Sequence, residues 1–135
     1  MSIVEIKENV FWVGAVDWDI RDFHGYSTEK GTTYNAYLIK DEKTVLFDTV
    51  KSGFTDDLIY HIRELVNPED IDYIHAHGTS TPYNDKIETP AIKNLYDSTM
   101  KIQRISSTKT MIGHLTGATG VIEDNDCIKT MVNMQ

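Results

Sequence analysis

Residues 71–89 read IDYIHAHGTSTPYNDKIET, a stretch that joins a strand pattern to a polar loop and then to a helix start. Apolar residues dominate 71–76, which predicts a buried strand. Thr89 and Pro90 supply an N-cap and a first-turn proline, which predict a helix from there to about Tyr96. The fold therefore depends on one strand that leads into a loop rich in histidine, glycine and hydroxyl groups.

The chain ahead of this strand is predicted to form hairpin strands and one helix. Residues 10–16 are rich in aromatic and β-branched side chains, and residues 33–39 alternate in polarity, so both are predicted strands. Residues 41–43 are predicted to turn into a short strand over residues 44–48. An amphipathic helix then precedes Pro68. Its apolar face consists of Leu58, Ile59, Ile62, Leu65 and Val66.

Beyond residue 89, the pattern predicts a short strand over residues 101–105 and a last helix within residues 116–131. Strands alternate with helices from residue 44 onward, and antiparallel hairpin strands come before them. This order predicts an α/β fold of the layered α+β kind, formed as one compact domain.

Composition excludes several classes of function. The 135 residues carry a formal net charge of −8, and residues 1–74 hold seven basic against fifteen acidic side chains, whereas later residues hold six of each. No basic stripe is present to bind nucleic acid, and no apolar run reaches membrane-spanning length. The lone Cys127 and a start without a signal-peptide pattern predict a cytoplasmic location. Exposed apolar surface could support a homo-oligomer.

A first resemblance covers residues 3–74. The runs VFWVGAVDWDIRDFHGY (10–26), GTTYNAYLI (31–39) and VLFDT (45–49) resemble the opening of the flavodiiron proteins. That family has a metallo-β-lactamase-like domain with a non-haem diiron site and a flavodoxin-like domain that holds FMN, and it reduces oxygen or nitric oxide. The resemblance implies a flavodiiron-type segment over residues 1–74. In it, Asp48 matches a position that supports the metal site without binding metal.

The same family places a His-x-Glu-x-Asp-His cluster after the strand that corresponds to residues 71–74. This chain has His75-Ala-His77-Gly-Thr-Ser there, so the carboxylates that hold two irons are missing. The flavodoxin-like part has no counterpart in these residues either. We therefore predict no metal site and no bound cofactor, with a metal held by His75 and His77 as an alternative.

A second resemblance covers residues 72–123. The blocks IDYIHAHGTSTP (71–82), NDKIET (84–89) and SSTKTMIGHLTGATGVIE (106–123) resemble, in order and spacing, the C-terminal half of the β-ketoacyl-acyl-carrier-protein synthases. Those enzymes have a thiolase fold and condense malonyl-carrier with an acyl chain held on a cysteine. The resemblance implies a thiolase-like segment over residues 75–135, which we expect to form one folded unit with the front segment.

The second resemblance also implies site residues. His77 and His114 match the two catalytic histidines, Lys109 matches the lysine near them, and Glu123 matches its ionic partner. Decarboxylation of a malonyl thioester leaves an enolate. Two imidazole donors that face the enolate oxygen would stabilise the negative charge on that oxygen. The lysine–glutamate pair would hold the histidine loop. The residues predicted to approach the phosphopantetheine arm of an acyl carrier are Gly78, Thr79, Ser80 and Thr81.

The nucleophile of the ketosynthases has no counterpart in this sequence. In that family the reactive cysteine lies in the other half of the thiolase fold, at a helix N-terminus that lowers its pKa. Cys127 lies near Asp124 and Asp126, whose charges would raise a thiol pKa, so we predict a buried or half-buried helix residue. Asp85 and Glu88 could form an acid–base pair, but their position favours a role at a helix start.

Three hypotheses about function follow. In the first, the chain is a recombined or engineered fusion of two enzyme-family segments that has no complete active site and no turnover. In the second, it retains ketosynthase-type acyltransferase chemistry, such as decarboxylation of a malonyl thioester through His77 and His114. In the third, it is a flavodiiron-type oxidoreductase segment, or a module that binds an acyl-carrier arm or a metal.

Overall fold

The computed structural model describes residues 3–23, 25–79, 81–95, 104–115 and 118–133. The strands in these residues are β1 (Val4–Lys7), β2 (Val10–Trp12), β3 (Ala15–Asp17), β4 (Asp22–Phe23), β5 (Tyr26–Ser27), β6 (Thr32–Tyr34), β7 (Tyr37–Lys40), β8 (Thr44–Phe47), β9 (Tyr73–His75) and β10 (Arg104–Ser106). The α-helices are α1 (Thr55–Leu65), α2 (Pro82–Leu95), α3 (Lys109–Ile112) and α4 (Thr119–Asn133). Short 3-10 turns cover Ser52–Phe54 and Pro68–Asp70.

A six-stranded sheet in the order β1-β2-β7-β8-β9-β10 organises the fold. The pairs β1/β2, β2/β7 and β7/β8 are antiparallel, whereas β8/β9 and β9/β10 are parallel. Parallel neighbours need a crossover, which α1 supplies between β8 and β9 and α2 supplies between β9 and β10. The predicted layered α/β fold, with antiparallel hairpin strands first, is confirmed.

The middle strands are buried on both faces of the sheet. Leu46 and Ile74 are fully buried and belong to the cluster that contains Leu58 and Ile62 of α1. Their neighbours along the strands point the other way, and there Tyr73 packs with Val45 and with Cys127 of α4. The period of two along each strand thus sends alternate side chains to two helical layers.

The two long strands predicted over residues 10–16 and 33–39 are each broken in the structure. β2 pairs with β7, but β3 pairs with β6 in a separate two-stranded sheet. The break falls at Gly14, where a Cβ atom would lie 2.1 Å from the Tyr34 carbonyl oxygen. Because only glycine allows this approach, the hairpin bends there and its outer part leaves the main sheet.

The prediction that a helix begins at Thr89 and Pro90 is wrong. α2 begins at Pro82, eight residues before Pro90, and continues through Pro90 to Leu95. Proline suits the first position of a helix because its missing N–H has no partner there anyway, and the sequence offers two such prolines. Tyr96 and residues 101–103 of the predicted strand lie outside the described residues, whereas the last helix and the strand at 104–106 are confirmed.

Among the described residues, no helix combines the length and the hydropathy that a membrane-spanning segment requires.

The carboxyl ends of the parallel strands β8 and β9 come together on one edge of the sheet. The segments that follow β8 and β9 begin there, and they carry the polar residues described next.

Candidate functional site

A cavity of about 790 Å³ opens where β8 and β9 end. Residues from before and after residue 75 line it together. The earlier segment contributes Ile20, Phe23, Thr33, Tyr34, Asn35, Asp48, Thr49, Val50 and Lys51, and the later segment contributes His77, Thr79, Thr81, Glu88 and His114. The earlier segment therefore contributes both apolar and polar side chains, and the later segment contributes histidine, carboxylate and hydroxyl groups.

The loop after β9 is held by its backbone. The Glu88 carboxylate accepts hydrogen bonds from the backbone N–H of His77 at 2.7 Å and of Gly78 at 2.8 Å. Ser107 donates from its hydroxyl to the carbonyl of His77 at 3.2 Å and, alternatively, to that of Gly78 at 3.3 Å. Glu88 is itself buried and also accepts the Thr49 hydroxyl at 3.2 Å. These hydrogen bonds therefore hold the His77 backbone in place without a contribution from a bound substrate.

Gly78 makes this arrangement possible. Its φ is +50°, and a Cβ atom would lie 2.4 Å from the Cβ of Ser107. We expect Gly78→Ala to lower the free energy of unfolding by about 1–3 kcal/mol, because the backbone conformation and the contact both become strained. Urea unfolding followed by circular dichroism measures this. Gly120→Ala is the matched control, since its Cβ would meet nothing within 4 Å, and an equal loss in both variants would contradict the prediction.

His77 contacts a carboxylate from the front segment. Its Nδ1 lies 3.1 Å from Oδ2 of Asp48, and both side chains are a little over one third exposed. This hydrogen bond with Asp48 raises the pKa of His77 above its usual value, and burial and the charge of Lys109 oppose the rise without cancelling it. The contact with Asp48 therefore stabilises the imidazolium form of His77 relative to that of a solvent-exposed histidine.

The structure brings His114 close to His77. The two ring centroids are 6.0 Å apart, and the rings meet edge to face at 84°. Nδ1 of His114 lies 3.4 Å from the hydroxyl of Thr119, the first residue of α4. The two histidines predicted from the second resemblance therefore lie on one cavity, although they are 37 positions apart in the chain.

Lys109 and Glu123 pair with each other behind the histidines. Nζ of Lys109 lies 2.5 Å from Oε1 of Glu123, and both residues are buried. Thr108 donates to the same carboxylate oxygen at 3.3 Å, and Nε2 of His75 lies 3.5 Å from it. Neither Lys109 nor Glu123 lines the cavity. The pair ties α3 to α4, and so holds the segment that carries His114.

The predicted arm-binding residues have mixed positions. Thr79 and Thr81 line the cavity, and their hydroxyls lie 3.2 Å apart. Gly78 contributes backbone geometry, whereas Ser80 lies outside the described residues. Glu88 was interpreted as a residue at a helix start, which is wrong, because it lies inside α2 and binds the loop after β9. No distinct sequence pattern indicates this role of Glu88.

Cys127 is confirmed as a buried helix residue. It is fully buried against Val45 and Tyr73, on the face of the sheet that α4 covers, and it does not line the cavity. A thiol in that position cannot attack a substrate bound near His77.

The residues present do not fit a diiron centre. Within the part of the chain that the structure describes, no three His, Cys, Asp or Glu side chains converge as metal ligands. His75 and His77 have different surroundings: Nδ1 of His75 contacts the Tyr73 hydroxyl at 3.3 Å inside the sheet, while His77 faces Asp48 and the cavity. The two rings therefore have no common partner in the described residues. His61 is buried and lies 3.1 Å from the Val13 carbonyl.

Comparison with known proteins agrees with both resemblances. The family model of the β-ketoacyl synthase C-terminal domain matches residues 61–135, more than half of the chain. The chain therefore belongs to the family of β-ketoacyl synthase C-terminal domains through this part of its length.

Other similarities are to flavodiiron proteins and their relatives. Nitric oxide reductase of Moorella thermoacetica is 46% identical over 94 residues, which are 68% of this chain and 23% of that protein. Rubredoxin-oxygen oxidoreductase of Megalodesulfovibrio gigas is 49% identical over 75 residues, 55% of this chain and 19% of that protein. The chain thus spans about a fifth of the length of these curated relatives.

The structural likeness extends further along the chain. The flavodiiron protein from Giardia intestinalis superposes with a TM-score of 0.57 and 27% identity, over 79% of this chain and 30% of that chain. Because 79% of the chain is more than its first 74 residues, the flavodiiron-type architecture includes elements that follow β9. A segment with ketosynthase sequence thus occupies positions in a flavodiiron-type fold.

Proposed function

We propose that this chain is a fusion of two enzyme-family segments that lacks the complete active site of either family. The one partial reaction that its own residues can support is decarboxylation of a malonyl thioester, presented on a phosphopantetheine arm. The observation that carries this proposal is the pair of imidazole rings of His77 and His114, 6.0 Å apart on a cavity large enough for a small thioester.

Decarboxylation needs no nucleophile from the protein. The bond between the carboxylate carbon and the α-carbon breaks, carbon dioxide leaves, and the electron pair moves to the thioester oxygen as an enolate. Hydrogen-bond donors placed at that oxygen stabilise the charge that develops. The enolate carbon then takes a proton from water. His77 and His114 are the donors, and Tyr34 and Phe23 provide apolar surface on the same cavity.

Acyl transfer and oxygen or nitric oxide reduction are not proposed. Transfer of an acyl chain needs a thiol at the cavity, and Cys127 is buried elsewhere. Reduction at two irons needs converging carboxylates and histidines, which the described residues do not provide. The fusion proposal would be overturned if the purified chain formed a condensation product or reduced oxygen with stoichiometric bound iron.

The expected result is release of carbon dioxide from malonyl-pantetheine above the rate in buffer. His114→Ala should lower that rate by about 100-fold or more, because a preorganised donor to the oxyanion contributes about this much. Met111→Ala is the control, since Met111 is 86% exposed beside the same loop. Release of labelled carbon dioxide from malonyl-pantetheine measures the rate. A rate equal to buffer would remove the decarboxylase proposal, and a rate unchanged by His114→Ala would place the reaction elsewhere.

The same rate has a defined pH dependence. Protonated His77 donates a hydrogen bond from either ring nitrogen, and its pKa lies above the usual value because of Asp48. The donor form is therefore complete at low pH and is lost as the pH rises through the raised pKa. We expect decarboxylation to fall over that range in the wild-type chain. A rate that rises with pH there would indicate base catalysis instead.

A further inference from the structure

We propose that Asp48 is a positioning residue for His77. When the His77 ring is neutral, the Asp48 carboxylate keeps the single ring proton on Nδ1, so that Nε2 is the ring nitrogen available to the cavity. The proposal rests on the geometry of the Asp48–His77 pair and, for its catalytic consequence, on the decarboxylase function proposed above. Asp48 lies in the flavodiiron-type segment and His77 in the ketosynthase-type segment, so the contact joins the two.

Asp48 is held by two hydrogen bonds besides its contact with His77 and by its backbone conformation. Its backbone N–H continues the parallel ladder and donates to the His75 carbonyl at 2.8 Å. Its Oδ1 accepts the backbone N–H of Thr49 at 2.7 Å. The residue adopts a φ of +57°, a conformation that aspartate and asparagine tolerate better than most side chains. Oδ2 is thereby presented to His77 in one orientation.

The ring of His77 is fixed from the other side. Glu88 and Ser107 hold the backbone before and after its Cα, so the side chain starts from a defined position. From there Nδ1 meets Asp48 Oδ2 at 3.1 Å. A carboxylate only accepts hydrogen bonds, so the nitrogen that faces it must carry a proton. Nε2, on the far side of the ring, carries a proton only when the ring is charged.

This geometry gives His77 two roles that depend on its charge. As imidazolium it donates from Nε2 to a developing oxyanion, and as neutral imidazole it offers Nε2 as an acceptor. The charged groups around it are the carboxylates of Asp48 and Glu88 and the ammonium of Lys109, with His114 beside the ring. Of these, Asp48 makes the direct contact with the ring, and it therefore determines which nitrogen is free.

The test uses nitrogen-15 NMR of the full chain, which reads the proton on each ring nitrogen without any substrate. Five histidines are present, and the His77 signals are assigned by their loss in His77→Gln. The wild-type chain should show neutral His77 with its proton on Nδ1. Asp48→Gly keeps the positive φ and removes the acceptor, and it should shift most of the population to the Nε2–H form.

Asp48→Asn keeps the shape and removes the charge, and it should lower the pH midpoint of the His77 titration. Where the decarboxylase is active, the midpoint of its pH profile should move with it. Asp72→Asn is the matched control, because Asp72 accepts the Thr44 N–H at the opposite end of β8 and does not contact His77. Its spectrum and pH profile should equal those of the wild type.

Two results would overturn the positioning role: an Nε2–H tautomer of His77 in the wild-type chain, or a tautomer that Asp48→Gly leaves unchanged. A loss of decarboxylation in every sample together with the expected tautomers would contradict the proposed function alone. The wild-type spectrum decides the tautomer even if Asp48→Gly fails to fold.

Discussion

Replacing Lys109 by methionine lowers the free energy of unfolding by about 3–5 kcal/mol at neutral pH. Lys109 is 5% exposed and its ammonium lies 2.5 Å from the Glu123 carboxylate. Methionine fills a similar volume but removes the charge that faces the buried carboxylate, which keeps the Thr108 hydroxyl at 3.3 Å and Nε2 of His75 at 3.5 Å as its polar neighbours. Uncompensated charge in a low-dielectric interior is among the few changes that cost a domain this much. Urea unfolding of the two chains measures the difference.

Two further variants test whether the loss of unfolding free energy comes from the Lys109–Glu123 ion pair. Glu123→Leu combined with Lys109→Met removes both charges, and this double variant should be more stable than Lys109→Met alone, since an apolar pair replaces a buried ion pair without an orphaned charge. Lys43→Met is the surface control: Lys43 lies 3.8 Å from Asp72 with both side chains more than one third exposed, so it should cost about 0–1 kcal/mol. Equal losses of unfolding free energy in Lys43→Met and Lys109→Met would show that burial does not determine how much the Lys109–Glu123 pair contributes to stability.

The main elements of the fold could be predicted because their patterns are local. Residues 41–43 form a turn between β7 and β8, and the apolar face of α1 includes the buried Leu58 and Ile62, as its helical period indicates. The broken hairpin could not be predicted in the same way. Gly14 reads as an ordinary strand glycine until the Tyr34 carbonyl is placed against it, and that contact joins residues 20 positions apart.

The start of α2 shows a different limit. Pro82 and Pro90 both suit the first position of a helix, and each follows a threonine that can serve as an N-cap, so local preference does not decide between the two starts. The structure begins the helix at Pro82, which places Glu88 one and a half turns inside it and level with the loop after β9. A tertiary contact, the Glu88 carboxylate with the backbone N–H groups of His77 and Gly78, thus accompanies a boundary that local preference alone does not decide.

The candidate site was predictable only within one segment at a time. His77 and His114 belong to motifs of the second segment, and the structure places them on one cavity. Asp48 and Thr49 belong to the first segment, and the resemblance gave Asp48 a role near a metal. Its contact with His77 follows from the parallel pairing of β8 with β9, which brings the ends of the two strands together. No motif of either family contains both residues of this pair.

Glu88→Gln should weaken both the fold and the site. The substitution keeps the length of the side chain but places an amide N–H₂ against a backbone N–H of His77 or Gly78, so one of two charge-assisted hydrogen bonds becomes a contact between donors. Because Glu88 is only 7% exposed, water compensates poorly for the lost bond, and we expect the free energy of unfolding to fall by about 3 kcal/mol. Urea unfolding measures this cost.

The same substitution should slow malonyl-thioester decarboxylation by about 100-fold, because a displacement of the His77 backbone by about 1 Å moves the donor away from the oxyanion. Glu64→Gln on the exposed face of α1 is the control and should change neither quantity. The two readouts separate two explanations. A stability loss with an unchanged rate would show that Glu88 anchors the loop without determining where the His77 ring lies. An unchanged stability would show that the loop after β9 does not depend on this carboxylate. The Glu88 carboxylate links α2 with the end of β9 and, through the Thr49 hydroxyl, with the segment that follows β8. Its replacement therefore tests how these three parts of the chain are held together.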